Sequence, residues 1–238
     1  MNITLIGYGR MGHEIEAIAL KRGHVINLVI DLDNEADLNA ENLKNTHVAI
    51  EFSYPGAAFG NIVKCLENKI PVVSGTTGWM KDYDKAAEIC LMNRTSFLHS
   101  TNFSIGVNLL FMLNSELAKR MAQYNNYRVS IEEIHHTKKL DAPSGTAITL
   151  TEGISKNHPA YNGWSLADKP EEGIIPVSAI REGSVPGTHT IAWDSETDTI
   201  SLRHVTKNRS GLAMGAVIAA EFISSRSGIF TMKDVLGL

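Results

Sequence analysis

Residues 7–12 read Gly7-Tyr8-Gly9-Arg10-Met11-Gly12, between the apolar run Met1–Ile6 and a helical stripe at Met11, Ile15, Ile18 and Ala19. This turn limits the fold more than any other feature of the chain. Placed between a strand and a helix, its first glycine permits the tight turn, its second lets backbone approach a pyrophosphate, and its third lets helix and strand pack closely. The amides at the helix N-terminus then face the phosphate charge. Gly23 closes the helix, and a second apolar run, Val25–Asp31, ends in an acid 19 residues beyond Gly12. That is where a carboxylate accepts hydrogen bonds from an adenosine ribose. An ordinary strand-to-helix turn has no need of the acid.

Strand and helix signals continue to alternate through the first hundred residues. His47–Phe52, Pro71–Ser74 and Phe97–Leu98 are predicted strands, Pro55 opens a helix through Asn68, and another helix lies near Lys81–Met92. Val- and Ile-rich strands separated by helices predict a parallel sheet covered on both faces, an α/β domain of Rossmann type. After about Ser104 the pattern changes. Val107–Met121 reads as a long helix whose first half, almost continuously apolar, is expected to be buried. Tyr127–His136 alternates, with Tyr127, Val129 and Ile131 on one face and Arg128, Ser130 and Glu132 on the other, as a half-buried strand does. Val177–Ile180, Thr188–Asp194 and Thr199–Val205 are further strands, the last two joined by a hairpin at Ser195–Asp198. This second domain is α+β, and the apolar helix Leu212–Ile223 suits a return to the first. The expected domains are therefore 1–104 completed by 210–238, binding a dinucleotide, and 105–209, binding substrate.

Twenty-two Lys and Arg against 26 Asp and Glu leave a net charge of −4, which argues against a nucleic-acid binder. The two cysteines, Cys65 and Cys90, suit a reduced, cytoplasmic protein. No basic segment with a small-residue cleavage site opens the chain. No apolar run approaches the roughly 18 residues that span a bilayer, and the longest, Gly211–Ile223, contains Glu221. No membrane partner is expected.

Two polar loops, Gly75-Thr76-Thr77-Gly78 and Ser100-Thr101-Asn102-Phe103-Ser104, follow predicted strands at the sheet edge where ligands bind in open α/β folds. Taken alone, each is better read as a plain turn. Asp31 would repel a 2′-phosphate, and Leu32 and Asp33 supply no compensating cation; Arg10, inside the turn, could supply one. The cofactor is thus NADH or NADPH, with a lean to NADH.

The densest chemistry lies in Glu133-Ile134-His135-His136-Thr137-Lys138-Lys139-Leu140-Asp141-Ala142-Pro143-Ser144-Gly145-Thr146-Ala147. If strand alternation persists, His135 and His136 face opposite ways. No metal site is expected, because adjacent histidines chelate badly and no helical His pair or close Cys pair completes a ligand set. Ser144, at a helix N-terminus, suits a cap rather than a nucleophile. The backbone amides of Gly145 and Thr146 would point at a carboxylate, with Lys139 adding charge. A histidine there could protonate a product. A solvated basic loop ahead of a capped helix is the plainer alternative.

The run His135-His136-x-x-Lys139-x-Asp141-Ala142-Pro143-Ser144-Gly145-Thr146-Ala147 resembles the signature of the 4-hydroxy-tetrahydrodipicolinate reductases of the diaminopimelate route to lysine. The likeness runs along the chain: Gly9 to Gly12, Phe52-Ser53-x-Pro55, Gly75 to Gly78, Asn102-Phe103-Ser104-x-Gly106-Val107-Asn108 and Arg181-x-Gly183-x-x-x-Gly187-x-His189 follow in the family's order. The resemblance implies a Rossmann domain that includes the C-terminal helix, and an α+β domain for substrate binding and tetramer formation. It implies hydride transfer from NAD(P)H to a cyclic unsaturated dicarboxylate. It makes His135 a proton donor or acceptor, Lys139 a second donor, His136 a substrate contact, and Gly145 with Thr146 a substrate carboxylate site. It places the cofactor on Gly7, Tyr8, Gly9, Arg10, Met11, Gly12, Asp31, Gly75, Thr76, Thr77, Ser100, Thr101, Asn102 and Phe103. Three departures bear on cofactor choice: a glycine turn one residue shorter than the commoner form, Ser100 in place of alanine, and no arginine after the acid of the second strand. Two other readings compete, an aspartate dehydrogenase-like reductase and a non-catalytic nicotinamide sensor. The first leaves His135 and the Pro-Ser-Gly-Thr segment without a common purpose, and a sensor has no need of proton donors.

Overall fold

The structure, a computed structural model, describes residues 1–166 and 171–238. The chain forms two units, one of Met1–Ile105 with Arg209–Leu238 and one of Gly106–Asn208. The first unit begins with β1 (Asn2–Ile6), α1 (Arg10–Lys21), β2 (Val25–Ile30), the single turn α2 (Ala40–Leu43), β3 (Val48–Glu51), α3 (Pro55–Glu67), β4 (Val72–Ser74), α4 (Tyr83–Met92) and β5 (Ser96–His99). The second unit takes up α5 (Ile105–Met121), β6 (Arg128–His135), α6 (Gly145–Asn157), β7 (Gly163–Ser165), β8 (Ile174–Arg181), β9 (Thr188–Asp194) and β10 (Thr199–Val205). The chain then completes the first unit with α7 (Ser210–Ile223), β11 (Gly228–Phe230) and α8 (Met232–Leu236).

In the first unit six parallel strands lie in the order β11-β5-β4-β3-β1-β2. Their side chains alternate between two apolar layers, which is why the strands read as continuous hydrophobic runs. On one face Ile3, Leu5, Val48, Ile50, Val73 and Leu98 pack with Ile15, Ile18 and Ala19 of α1 and Ala213, Ala216, Val217 and Ala220 of α7. On the other, Ile6, Ile30, Ala49, Val72 and Phe97 pack with Ala58, Ile62 and Leu66 of α3 and Ala86 of α4. Glu221, the charge inside the apolar α7, accepts a bidentate pair from Arg22 at 2.7 Å and a 2.7 Å bond from His24, joining α7 to the end of α1. The strand order reverses between β1 and β3, so the crevice beyond their carboxyl ends is the expected ligand position. β11, three residues long, has too few positions to carry a periodic signal.

In the second unit the strands run β10-β9-β6-β8-β7, with β6 parallel to β8 and antiparallel to β9. One face packs Val129, Ile131, Ile175, Val177, Ile191 and Trp193 against Leu110, Ala118, Leu150 and Ile154 of α5 and α6. One covered face gives the alternation seen in β6. The expected burial of the first half of α5 is corrected: Leu109 and Leu113 are 38% and 47% exposed, and the buried positions are Val107, Leu110, Asn114, Ala118 and Met121. Three-and-four spacing buries one stripe only, and the buried Asn114 donates to the Leu150 carbonyl at 2.9 Å. Strand β8 also starts earlier than its apolar pattern predicted, and the short β7 beside it gave no signal. Among the described residues no helix is long and apolar enough to cross a membrane.

Candidate active site

Chemistry-bearing residues collect at one place in each unit. In the first, β1 runs into Gly7 at φ +90°, where a Cβ would collide with the Phe52 carbonyl oxygen. Hydrogen bonds from Gly7 N to Ile30 O and from Phe52 N to Ile6 O, both 2.8 Å, fix this turn between β2 and β3. A Cβ at Gly12 would lie 2.5 Å from the Gly7 carbonyl oxygen, so the helix start cannot retreat. A Cβ on Gly9, by contrast, would meet nothing within 4 Å. The turn is closed on the protein side and open on the ligand side, as a pyrophosphate cradle requires.

Two adjoining hollows flank that cradle. One, of about 220 Å³, is lined by Gly7, Tyr8, Gly9, Asp31, Glu35 and Tyr54 among others, and among the described residues no Lys or Arg lines it. The Asp31 amide is pinned by Asn34 Oδ1 at 2.8 Å, leaving its exposed carboxylate at the mouth. Glu35 supplies a second carboxylate that the sequence did not single out, reached by the Tyr54 hydroxyl at 3.4 Å. The other hollow, about 230 Å³, is lined by Met11, Phe52, Ser53, Pro55, Gly75, Thr76 and Thr77. Arg10 is exposed at the start of α1 and lies in the lining of neither. Ser100 to Phe103 occupy the next loop, also outside these linings. There Ser100 Oγ donates to Asn102 O at 2.8 Å, and Phe103 is buried against α7, where a Cβ on Gly215 would strike its carbonyl.

In the second unit the focus is Glu133, which has no exposed surface. It shares the core-facing side of β6 with Val129, Ile131 and His135. Register sets it opposite His189 of β9 and His135 opposite Arg181 of β8. The Glu133 carboxylate accepts the Ser144 amide at 3.1 and 3.0 Å and Arg181 Nη2 at 3.1 Å. His135 Nδ1 and His189 Nε2 each lie 3.6 Å from its Oε2. Burial alone pushes this carboxyl up, but His189, Ser144 and Arg181 outweigh it and hold it at about 2. His135 goes the other way. Burial first, then the charges of His189, Lys139 and Arg181, push it down to about 4 against the pull of Glu133, so the resting imidazole is neutral.

Ser144 caps α6 as expected, its Oγ accepting from Ala147 N at 3.2 Å and meeting His189 Nε2 at 3.1 Å. The next two amides, Gly145 and Thr146, form the first turn, and a Cβ on Gly145 would meet nothing within 4 Å. Lys139 Nζ is held by both oxygens of Asp141 at 2.8 Å, and this ammonium lowers the Asp141 carboxyl. His136 falls one residue beyond β6. Glu133, Arg181 and His189 were missed as site residues. Glu133 had a signal, an acid in step with Val129 and Ile131; the other two needed the strand pairing.

Glu133, His135 and His189 also bring three metal-type donor atoms within 4.8 Å of one another. The guanidinium and the Ser144 amide already occupy the carboxylate, and a dication would face Arg181 directly. The donor set suits a hydrogen-bonded cluster better than a metal.

These shifts predict acid sensitivity. The unfolded chain takes up a proton at His135 below 6.5 and the folded chain only below about 4. The contribution is therefore full above 6.5 and is lost as pH falls from 6.5 to 4, by on the order of 3 kcal/mol. Glu133 extends the loss from 4.5 towards 2. Urea midpoints measured between pH 7 and 4 are expected to fall, and His135→Gln to flatten the slope; the same slope in both proteins would count against a neutral, buried His135.

Comparison with known proteins places both units. Residues 1–103 match the family described as dihydrodipicolinate reductase, N-terminus, and residues 106–236 match dihydrodipicolinate reductase, C-terminus. A 4-hydroxy-tetrahydrodipicolinate reductase of Christiangramia forsetii is 51% identical over 99% of this chain and 98% of its own length. The enzyme of the same description from Alkaliphilus metalliredigens is 35% identical over 97% of this chain and 96% of its own. Among solved structures, a dipicolinate-bound dihydrodipicolinate reductase from Paenisporosarcina superposes with a TM-score of 0.79 at 23% identity, covering 97% of each chain.

Proposed function

The chain belongs to the dihydrodipicolinate reductase family, and we propose that it reduces 4-hydroxy-tetrahydrodipicolinate to tetrahydrodipicolinate with NADH as its preferred cofactor. The reaction is an NAD(P)H-dependent reduction in the diaminopimelate route to lysine. When bound, the dinucleotide supplies the hydride. The chain's own residues bind, orient and move protons. The first unit takes the dinucleotide along the Gly7–Gly12 cradle and the Gly75–Thr77 loop, with Ser100 to Phe103 completing that edge. The second takes the dicarboxylate: Gly145 and Thr146 amides receive one carboxylate, and His136 contacts the ring.

One observation carries this reading: a single carboxylate, Glu133, holds both the amide that starts the anion-binding turn and the surroundings of His135. Substrate charge and proton transfer are thereby kept in one frame. The resting His135 is neutral and ready to accept a proton. An arriving dianion raises its affinity for a proton, since nearby negative charge favours the cationic form. Lys139 exchanges Asp141 for substrate and is the second donor. The family reading adds a homotetramer in the cytoplasm, for which the two sheet-edge strands of the second unit, β10 and β7, offer unpaired backbone.

The preference for NADH rests on Asp31 and Glu35 in a hollow that has no cation in its lining among the described residues. A 2′-phosphate there meets like charge. Parallel titrations are expected to give a Kd for NADPH at least about ten-fold weaker than for NADH, as like-charge juxtaposition costs more than 1.4 kcal/mol. Asp31→Ser with Glu35→Gln is expected to narrow the gap. Equal affinities in the unmodified protein would reject the preference, while absence of NADH or NADPH oxidation with 4-hydroxy-tetrahydrodipicolinate would reject the reaction itself.

A further inference from the structure

One buried charge in the first unit has no part in this scheme. Glu51, the last residue of β3, is 0% exposed. Its hydrogen-bond partners are all neutral. Oε1 accepts the Ser53 amide at 3.0 Å, the Ser53 hydroxyl, and the Thr76 hydroxyl at 2.7 Å; Oε2 accepts the Ser74 hydroxyl at 2.7 Å. A carboxylate so enclosed is costly unless hydrogen-bonded, and an apolar residue would extend the Val48–Ile50 run at no such cost.

The donors come from two different loops. Ser53 lies after β3, and Ser74 and Thr76 lie at and after the end of β4. The Ser53 amide also donates to Thr76 Oγ1 at 2.8 Å, so the Thr76 proton is directed at Glu51. From the other side the Thr76 carbonyl accepts Trp79 Nε1 at 2.8 Å and meets His99 Nε2 at 3.1 Å. Both polar ends of Thr76 are thus tied. Ser53 lines both hollows, whereas Thr76 lines only the one without Asp31, which faces the nicotinamide half of a dinucleotide whose adenosine lies at Asp31.

We propose that Glu51 is a positioning residue for the nicotinamide half of the cofactor: its carboxylate clamps the Ser53 and Thr76 loops in one register. The inference rests on the reading of this edge as the cofactor site. Its role is separable from general integrity, because Thr76 lines only the second hollow while Gly7, Gly9, Asp31 and Glu35 line only the first.

The test compares two ligands, NADH and 5′-AMP, by equilibrium titration of the whole protein. Glu51→Gln is nearly isosteric but turns an amide donor towards hydroxyl donors. It is expected to weaken NADH about ten-fold or more and to leave AMP within about two-fold, the scale of losing hydrogen bonds to a buried charged acceptor. Thr76→Val, which removes the bridging hydroxyl, is expected to repeat the pattern and serves if Glu51→Gln does not fold. Unchanged NADH affinity in a folded variant, or a parallel loss of both ligands, overturns the proposal. Failure of the unmodified protein to bind NADH overturns the cofactor-site reading beneath it.

Discussion

Replacing His135 by glutamine is expected to lower turnover about 10²–10⁴-fold, the usual loss when a positioned acid or base is removed, with NADH affinity unchanged. The two halves of this expectation have separate grounds. His135 is neutral at rest, so glutamine orphans no buried charge and the Glu133 cluster keeps its Arg181 and Ser144 contacts. The protein therefore folds, but the amide cannot exchange a proton near neutral pH. The hollows proposed for the nucleotide are lined, among the described residues, by first-unit side chains, so NADH affinity is expected to be independent of His135. Steady-state rates with an NADH titration check both halves. Turnover equal to the unmodified protein would take His135 out of the proton path.

Glu133→Ala is expected to cost the protein a large part of its stability. It removes the acceptor of the Ser144 amide and leaves the Arg181 guanidinium, 20% exposed, without its carboxylate. Breaking one side of a buried ion pair costs about 3–5 kcal/mol, which urea unfolding would read directly. Glu133→Gln retains an acceptor and the volume, so it should lose less stability yet still impair catalysis. Because Glu133 is the group that raises the His135 pKa, its neutral replacement moves the alkaline limb of the kcat–pH profile, where the protonated donor is lost, to lower pH. A Glu133→Ala protein with the original urea midpoint would mean that the cluster contributes no stability.

The fold was legible where local pattern and global position coincide. The Gly7–Gly12 turn, its acid at Asp31 and the buried strands each announce themselves within a few residues, since a parallel strand covered on both faces is apolar throughout. The start of α6 was legible for the same reason, Ser144 being a local cap. Less was legible where a face had to be chosen. The apolar opening of α5 implied full burial, yet only one stripe has a partner, because which side of a helix meets the sheet is set by elements distant in sequence. The strands β11 and β7 exist through pairing alone.

The site divides along the same line. From residue identities the chain alone determined a glycine-rich turn with an acid at the end of β2, a histidine–lysine loop and a capped helix, because each is a short segment whose pattern needs only its neighbours. Tertiary structure alone decided what surrounds them. It set Glu133 between Arg181, His189 and the Ser144 amide, which fixes the proton state of His135, and it closed Glu51 beneath two loops of the nucleotide edge. The Ser144 amide and Arg181 reach Glu133 from 11 and 48 residues away in the chain, and no local pattern encodes that meeting.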